Sequence, residues 1–234
     1  MIFPVAILAG GLATRLRPIT EKIPKALLIV AGRPFIFHQL ELLKSQGVNQ
    51  VVLCVGYLGE QIEATVGDGS AFGLSISYVY DGAKLLGTGG ALRKALPLLG
   101  ADFFVLYGDS YLQCPYAAIQ ATYQQSGLLA LMMVLRNEDK WDKSNVLYNE
   151  GKIIAYNKKA PYPEMKHIDY GLGLLSRKAI DKYGSREICD LAEIYQNLSQ
   201  EGQLAGFEVT KRFYEIGSQQ GLAETEKYLT TRGA

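Results

Sequence analysis

Short apolar runs alternate with stretches of three-to-four spacing from the first residues to about position 135. Val5 to Ala9 is an uninterrupted apolar run, the pattern of a central strand buried on both faces. Pro34 suits the first position of a helix, with Phe35, Leu40 and Leu43 for the core and Gly47 as its stop. Val51 to Val55 predicts the next strand, and Leu58, Ile62 and Val66 mark a helix face. Ser75 to Tyr80 alternates as a strand does, and Ala91, Leu92, Ala95 and Leu99 form another helical stripe. Phe103 to Tyr107 predicts a strand, Ile119 and Tyr123 a helix, and Leu129 to Leu135 a strand again. This alternation implies right-handed crossovers and a Rossmann-like α/β fold: a mixed, mostly parallel sheet flanked by helices.

After Arg136 the texture changes. Val146 to Tyr148 and Lys152 to Tyr156 predict a hairpin around Asn149-Glu150-Gly151. Ile168 to Leu175 reads as a strand, and Ile188, Leu191, Tyr195 and Leu198 as a helix stripe. Gln203 to Thr210 and Phe213 to Ile216 are strand-like, and Ser218 is placed to cap a last helix through Leu222, Glu226 and Leu229. No linker, repeat or low-complexity tract interrupts the 234 residues. The expectation is one domain over 1–234, with residues 1–135 binding a nucleotide and 136–234 binding a second ligand.

Composition narrows the partners. The chain is 48% hydrophobic and 20% charged, enough apolar material for a sizeable core, and its formal net charge is +1. Such a balance offers no field for nucleic acid or an anionic membrane, so any anionic ligand must be met by a few placed cations. The three cysteines (Cys54, Cys114, Cys189) lie far apart, and with only His38 and His167 beside them they suggest neither zinc nor disulfides. The apolar start lacks a basic segment before it and meets Arg15 and Arg17 only afterwards, which reads as a buried strand and not an export signal. A cytoplasmic protein is expected.

The loop after the first strand carries the first chemistry. Leu8-Ala9-Gly10-Gly11 follows a buried strand directly, where ligands bind in open α/β sheets. Gly10 and Gly11 leave backbone N–H groups open to a phosphate, and Arg15 and Lys25 add two cations. Neither G-x-G-x-x-G in this loop nor G-x-x-x-x-G-K-[ST] anywhere is present. Taken alone, a glycine pair also fits a tight turn, and Lys25 a solvated lysine.

The stretch Leu8 to Lys25 resembles the signature of sugar-1-phosphate nucleotidyltransferases, roughly L-A-G-G-x-G-T-R-L-x-P-x-T…P-K. Ala13 stands where that pattern has Gly, at a position calling for positive φ or close backbone approach. Leu86-Gly87-Thr88-Gly89-Gly90 resembles the family's segment beside the base, and Gly108-Asp109 its strand-end magnesium ligand. Asn157-Lys158-Lys159-Ala160-Pro161 lies where the family has x-E-K-P, so Lys159 matches the sugar-phosphate lysine and Lys158 reads as surface charge. Asp169-Tyr170-Gly171 is similar to the strand lining the sugar pocket. Tyr214-Glu215-Ile216-Gly217 resembles W-x-D-I-G, with Glu215 replacing the second metal acid.

The resemblance implies a nucleotidyltransferase fold of the GT-A-like kind, and a reaction in which a sugar 1-phosphate attacks the α-phosphorus of a nucleoside triphosphate. It implies Mg²⁺ on Asp109 and Glu215, Arg15 on the β- and γ-phosphates, Lys25 near the α-phosphate and Lys159 on the sugar phosphate. Leu8, Ala9, Gly10, Gly11, Asp81, Gly87 and Thr88 would hold the nucleotide, and Asp169 and Gly171 the sugar. Asp81 favours GTP, since a carboxylate accepts from guanine N1–H and N2–H together. The subfamily most resembled is D-glycero-D-manno-heptose 1-phosphate guanylyltransferase, with mannose 1-phosphate or a UTP-using relative as alternatives. A non-catalytic nucleotide-sugar-binding subunit is the alternative from another class.

Overall fold

The computed structural model describes residues 1–184 and 186–232. Nine strands form one mixed sheet, running across it as Ser75–Tyr80, Gln50–Val55, Val5–Leu8, Asp102–Tyr107, His167–Ser176, Ala130–Arg136, Leu204–Val209, Lys152–Tyr156 and Val146–Asn149. The first four are mutually parallel. His167–Ser176 then enters antiparallel between Asp102–Tyr107 and Ala130–Arg136. The chain therefore folds back into the middle of its own sheet, and one sheet runs through both halves.

The alternation of side chains decides which layer each residue joins. Val5 and Ile7 face one side, with Leu40, Leu43, Ile62 and Ile119 of the helices Phe35–Ser45, Gly59–Val66 and Tyr116–Ser126. Ala6, Val52 and Cys54 face the other, with Leu92, Ile180, Ile194 and Leu198 of Gly87–Leu99, Arg177–Tyr183 and Leu191–Gln200. A smaller cluster of Leu16, Leu28, Val30, Phe35, Tyr111, Ile216 and Leu229 pins the long loop after the first strand to the last helix.

Most predicted elements are present within a residue or two. The exceptions are local. Ile188, expected on a helix stripe, precedes the helix Leu191–Gln200 and is 54% exposed. Arg177–Tyr183 is a helix that no apolar stripe announced; Ser176 starts it by accepting from the Ala179 N–H. Phe213 to Ile216 shrinks to a two-residue strand, Tyr214–Glu215, paired with Ser110–Tyr111. All three cysteines are buried and free. No described helix is long and apolar enough to cross a membrane.

Candidate functional site

Two clefts open beyond the carboxyl ends of the parallel strands. The first, of about 250 Å³, is lined by Leu8, Ala9, Gly10, Gly11, Lys25, Asp81, Gly87, Thr88 and Asp109, all expected for the nucleotide or the metal, and also by Cys54, Leu85 and Tyr107. Register explains the floor: Leu8 lies opposite both Cys54 and Tyr107, so three adjacent strands end within one residue of each other. The glycines permit close approach. A Cβ on Gly108 would lie 2.8 Å from the Leu8 carbonyl, and one on Gly56 2.8 Å from the Gly10 carbonyl and 3.1 Å from Asp81 Oδ2. Asp81 Oδ2 accepts from the Leu86 N–H at 3.3 Å. Desolvation raises its pKa against the opposing pull of that N–H and of Lys94.

The second cleft, of about 550 Å³, is polar and wider. Arg15, Tyr156, Lys158, Asp169, Gly171, Arg212 and Glu215 line it, and Tyr107 and Asp109 belong to both clefts. Asp169 and Gly171 arrive on the strand His167–Ser176, which runs antiparallel beside Asp102–Tyr107 and past its end. A register shift against Ala130–Arg136 falls between Asp169 and Gly173, and Gly171 takes φ +94° there. The bulge turns the Gly171 N–H onto Asp169 Oδ1 at 3.0 Å. Burial raises the Asp169 carboxyl to about 6, despite that N–H and the nearby Lys158.

Where the clefts meet, three charged groups converge. Lys25 Nζ donates to Asp109 Oδ2 at 2.6 Å. The Ile216 N–H donates to the Asp109 carbonyl at 2.9 Å, and Tyr214–Glu215 pairs with Ser110–Tyr111, so the short ladder brings Glu215 beside Asp109. A Cβ on Gly217 would lie 2.7 Å from Glu215 Oε2, 3.1 Å from Asp109 Oδ2 and 3.7 Å from Lys25 Nζ. Both carboxylates thus border one small space that only glycine leaves open. No group of three His, Cys, Asp or Glu is placed to hold a metal among the described residues. Two carboxylates with the remaining positions left to phosphates and water is the donor set Mg²⁺ accepts, so these residues fit that ion. Each Glu215 oxygen is already hydrogen-bonded, to the Gly217 N–H and to Ser218 Oγ, which fixes the carboxylate in place.

Arg15 is exposed and lines the second cleft, not the first. Lys159 lines neither: its Nζ lies 3.1 Å from Glu193 and its side chain is 76% exposed. Lys158, read from the sequence as surface charge, lines the second cleft, as does Lys140. Ala13 adopts φ +47°, left-handed, and its carbonyl accepts from the buried Thr20 hydroxyl at 2.8 Å. Gln39 went unpredicted. It is 1% exposed and donates to the Tyr107 and Ser110 carbonyls at 3.2 and 2.8 Å, holding the turn that presents Asp109. A polar residue on the apolar face set by Phe35, Ile36, Leu40 and Leu43 was its one available signal.

Residues 5–143 match the family model described as nucleotidyl transferase. The chain belongs to the nucleotidyl transferase family. It is 31% identical over 217 residues to the mannose-1-phosphate guanylyltransferase catalytic subunit beta of Xenopus tropicalis, covering 90% of this chain and 60% of that protein. Against the N-acetylmuramate alpha-1-phosphate uridylyltransferase of Neisseria meningitidis serogroup B it is 30% identical, covering 94% of this chain and 95% of that one. The chain thus spans about 60% of the length of the mannose-1-phosphate relatives. In fold it matches HddC from Yersinia pseudotuberculosis, solved complexed with GMP-PN, at TM-score 0.82 and 22% identity over 97% of this chain and 100% of that one.

Proposed function

We propose that the chain joins a nucleoside triphosphate to a sugar 1-phosphate and releases pyrophosphate. An oxygen of the sugar phosphate attacks the α-phosphorus. The bond from that phosphorus to the oxygen bridging to the β-phosphate breaks, and pyrophosphate leaves with the electron pair. The observation that carries this reading is the meeting of two clefts at Asp109, with Lys25 and Glu215 bordering the same point.

The physical demand is charge. Two unit charges of like sign at about 4 Å repel by about 4 kcal/mol at an effective dielectric of 20, and here two multiply charged phosphates must approach. Mg²⁺ held by Asp109 and Glu215 would supply neutralisation at the reacting phosphate. Lys25 would sit on the α-phosphate once drawn from Asp109, with Arg15 on the phosphates at the cleft mouth. Lys158 would meet the sugar phosphate, in place of Lys159. No general base is needed, because the attacking oxygen is already ionised; the protein contributes position and charge stabilisation.

For the substrates, we infer GTP and D-glycero-D-manno-heptose 1-phosphate. Asp81 supports guanine: its carboxylate borders the first cleft beside Gly10 and offers acceptors to the guanine N1–H and its exocyclic N2–H. The guanylyltransferase relative agrees with it, and that relative also keeps mannose 1-phosphate in contention. The uridylyltransferase relative, matched over nearly the whole of both chains, supports a second reading with UTP. Pyrophosphate release measured across four nucleoside triphosphates and several sugar 1-phosphates tests all three. GTP with heptose 1-phosphate should exceed every other pair. A larger rate with UTP discards the base assignment, and nucleotide binding without any release favours a non-catalytic subunit.

A further inference from the structure

The Gly87-Thr88-Gly89-Gly90 segment, whose Gly87 and Thr88 are expected at the nucleotide, spends much of its chemistry elsewhere. Gly89 and Gly90 N–H groups both donate to the Cys189 carbonyl, at 2.9 and 3.3 Å, and the Cys189 N–H donates to the Leu86 carbonyl at 3.1 Å. A Cβ on Gly87 would lie 2.6 Å from the Cys189 carbonyl oxygen and one on Gly89 2.7 Å from Cys189 Sγ. These glycines therefore let another stretch of chain close against the start of the helix Gly87–Leu99.

Thr88 fastens that contact. Its hydroxyl has one proton, which it donates to Asp190 Oδ1 at 2.9 Å, and it accepts from the Leu191 N–H at 2.8 Å. The same Asp190 oxygen accepts from the Ala192 N–H at 2.9 Å and caps the helix Leu191–Gln200. That helix packs behind the second cleft. Its Tyr195 ring meets the Tyr156 ring edge-on at 6.0 Å, its Ser199 hydroxyl accepts from the Tyr156 N–H at 3.3 Å, and its Tyr195 hydroxyl occupies the space beside Gly173. Tyr156 lines the second cleft, and Gly173 follows Asp169 and Gly171 on one strand.

We propose that Thr88 and Asp190 form a latch that positions the sugar-phosphate cleft from the nucleotide cleft, and that the Thr88 hydroxyl is not a nucleotide ligand. Thr88 and Asp190 are positioning residues: they act through the helix Leu191–Gln200 on Tyr156 and on the strand bearing Asp169. This inference rests on the two-cleft reading above, and its test is separable from it.

Thr88→Val removes both hydroxyl bonds and keeps the Asp190 cap; Asp190→Ala removes latch and cap; Asp190→Asn keeps an acceptor oxygen. Full-length variants are compared by hydrogen exchange, by affinity for a non-hydrolysable GTP analogue, and by the KM of the sugar 1-phosphate that the wild type uses best. The latch predicts faster exchange over 191–200 and 152–156 in Thr88→Val and Asp190→Ala. It also predicts a rise of about tenfold in sugar-phosphate KM, analogue affinity within about twofold, and recovery in Asp190→Asn; such a rise is about 1.4 kcal/mol. Unchanged exchange, or analogue affinity lost in Thr88→Val with KM unmoved, would overturn it. A wild type that transfers no nucleotide, with exchange still accelerated in the variants, would remove the proposed reaction and leave the latch standing.

Discussion

The two clefts solve different problems with different materials. The first is walled by glycines, strand ends and short apolar side chains, with all its lining residues drawn from positions 8–109. The second is walled by long polar and aromatic side chains drawn, Arg15 apart, from positions 107–224. A flat base and a phosphate chain can be held by backbone N–H groups and close packing. A sugar ring is held by side chains that accept and donate to hydroxyls. The backbone-built cleft therefore tolerates little change in shape, whereas the side-chain-built one can change substrate by exchanging a few residues. Asp109 is where the two meet, and the account stands or falls there.

The largest effects should come from that meeting point. Asp109→Asn should lower turnover by about 100-fold or more and raise the magnesium needed, the scale of losing one charge-stabilising contact at a reacting centre. Lys25→Ala should cost a similar factor while the thermal midpoint stays within a few degrees. Turnover left intact in either variant would separate the clefts from the chemistry.

A medium effect should distinguish Lys158, which lines the second cleft, from its neighbour Lys159, which does not. Lys158→Ala removes a charged partner for the sugar phosphate and should raise its KM about tenfold, whereas Lys159→Ala, which loses an exposed pair with Glu193, should change it less than about twofold. Reversal of that order would mean that the strand end rearranges around the ligand.

Acidity gives the next comparison. Desolvation in the second cleft pushes the half-buried Asp169 carboxyl up to about 6. Below that pH the folded protein holds a proton that the unfolded chain, with an ordinary carboxyl near 3.9, has released. Stability should therefore fall as pH rises from about 4 through 6. The ionised form is the one that accepts two hydroxyl donors, so sugar-phosphate KM should fall over the upper part of the same rise. Steady-state profiles of wild type and Asp169→Asn test this; an inflection near 6 that persists in the variant belongs to another group.

The smallest effect lies in the loop. Ala13→Gly relieves a left-handed alanine and should add at most about 1 kcal/mol, a few degrees in a melting curve. A lower midpoint would show that the Ala13 methyl group stabilises the loop by more than its backbone strain costs.

How much was legible follows the same division. The first cleft could be read from the sequence because its residues fall in contiguous segments at strand ends, where glycine spacing is itself the geometry. Asp81 and Asp109 were visible through the family resemblance of the segments around them, since either acid taken alone fits an ordinary loop. The second cleft was legible only in part, since no local pattern says which of two adjacent lysines faces inward; Lys158 does, and a bulge around Gly171 sets the direction of Asp169. Gln39 was hidden because it works through backbone carbonyls far along the chain. Thr88 was legible as a position but not in its bonding, because Asp190 lies 102 residues away. The central strands were plain from their unbroken apolar runs, while the insertion of His167–Ser176 into the middle of the sheet leaves no mark on its own periodicity.

The most direct measurement follows the phosphorus. GTP labelled at the α-phosphate is incubated with the protein, Mg²⁺ and heptose or mannose 1-phosphate, in parallel with GTP labelled at the β-phosphate. The account predicts α-label in a nucleotide sugar and β-label in pyrophosphate, both abolished in Asp109→Asn. Label appearing in free phosphate, or in no product while the nucleotide still binds, would contradict it.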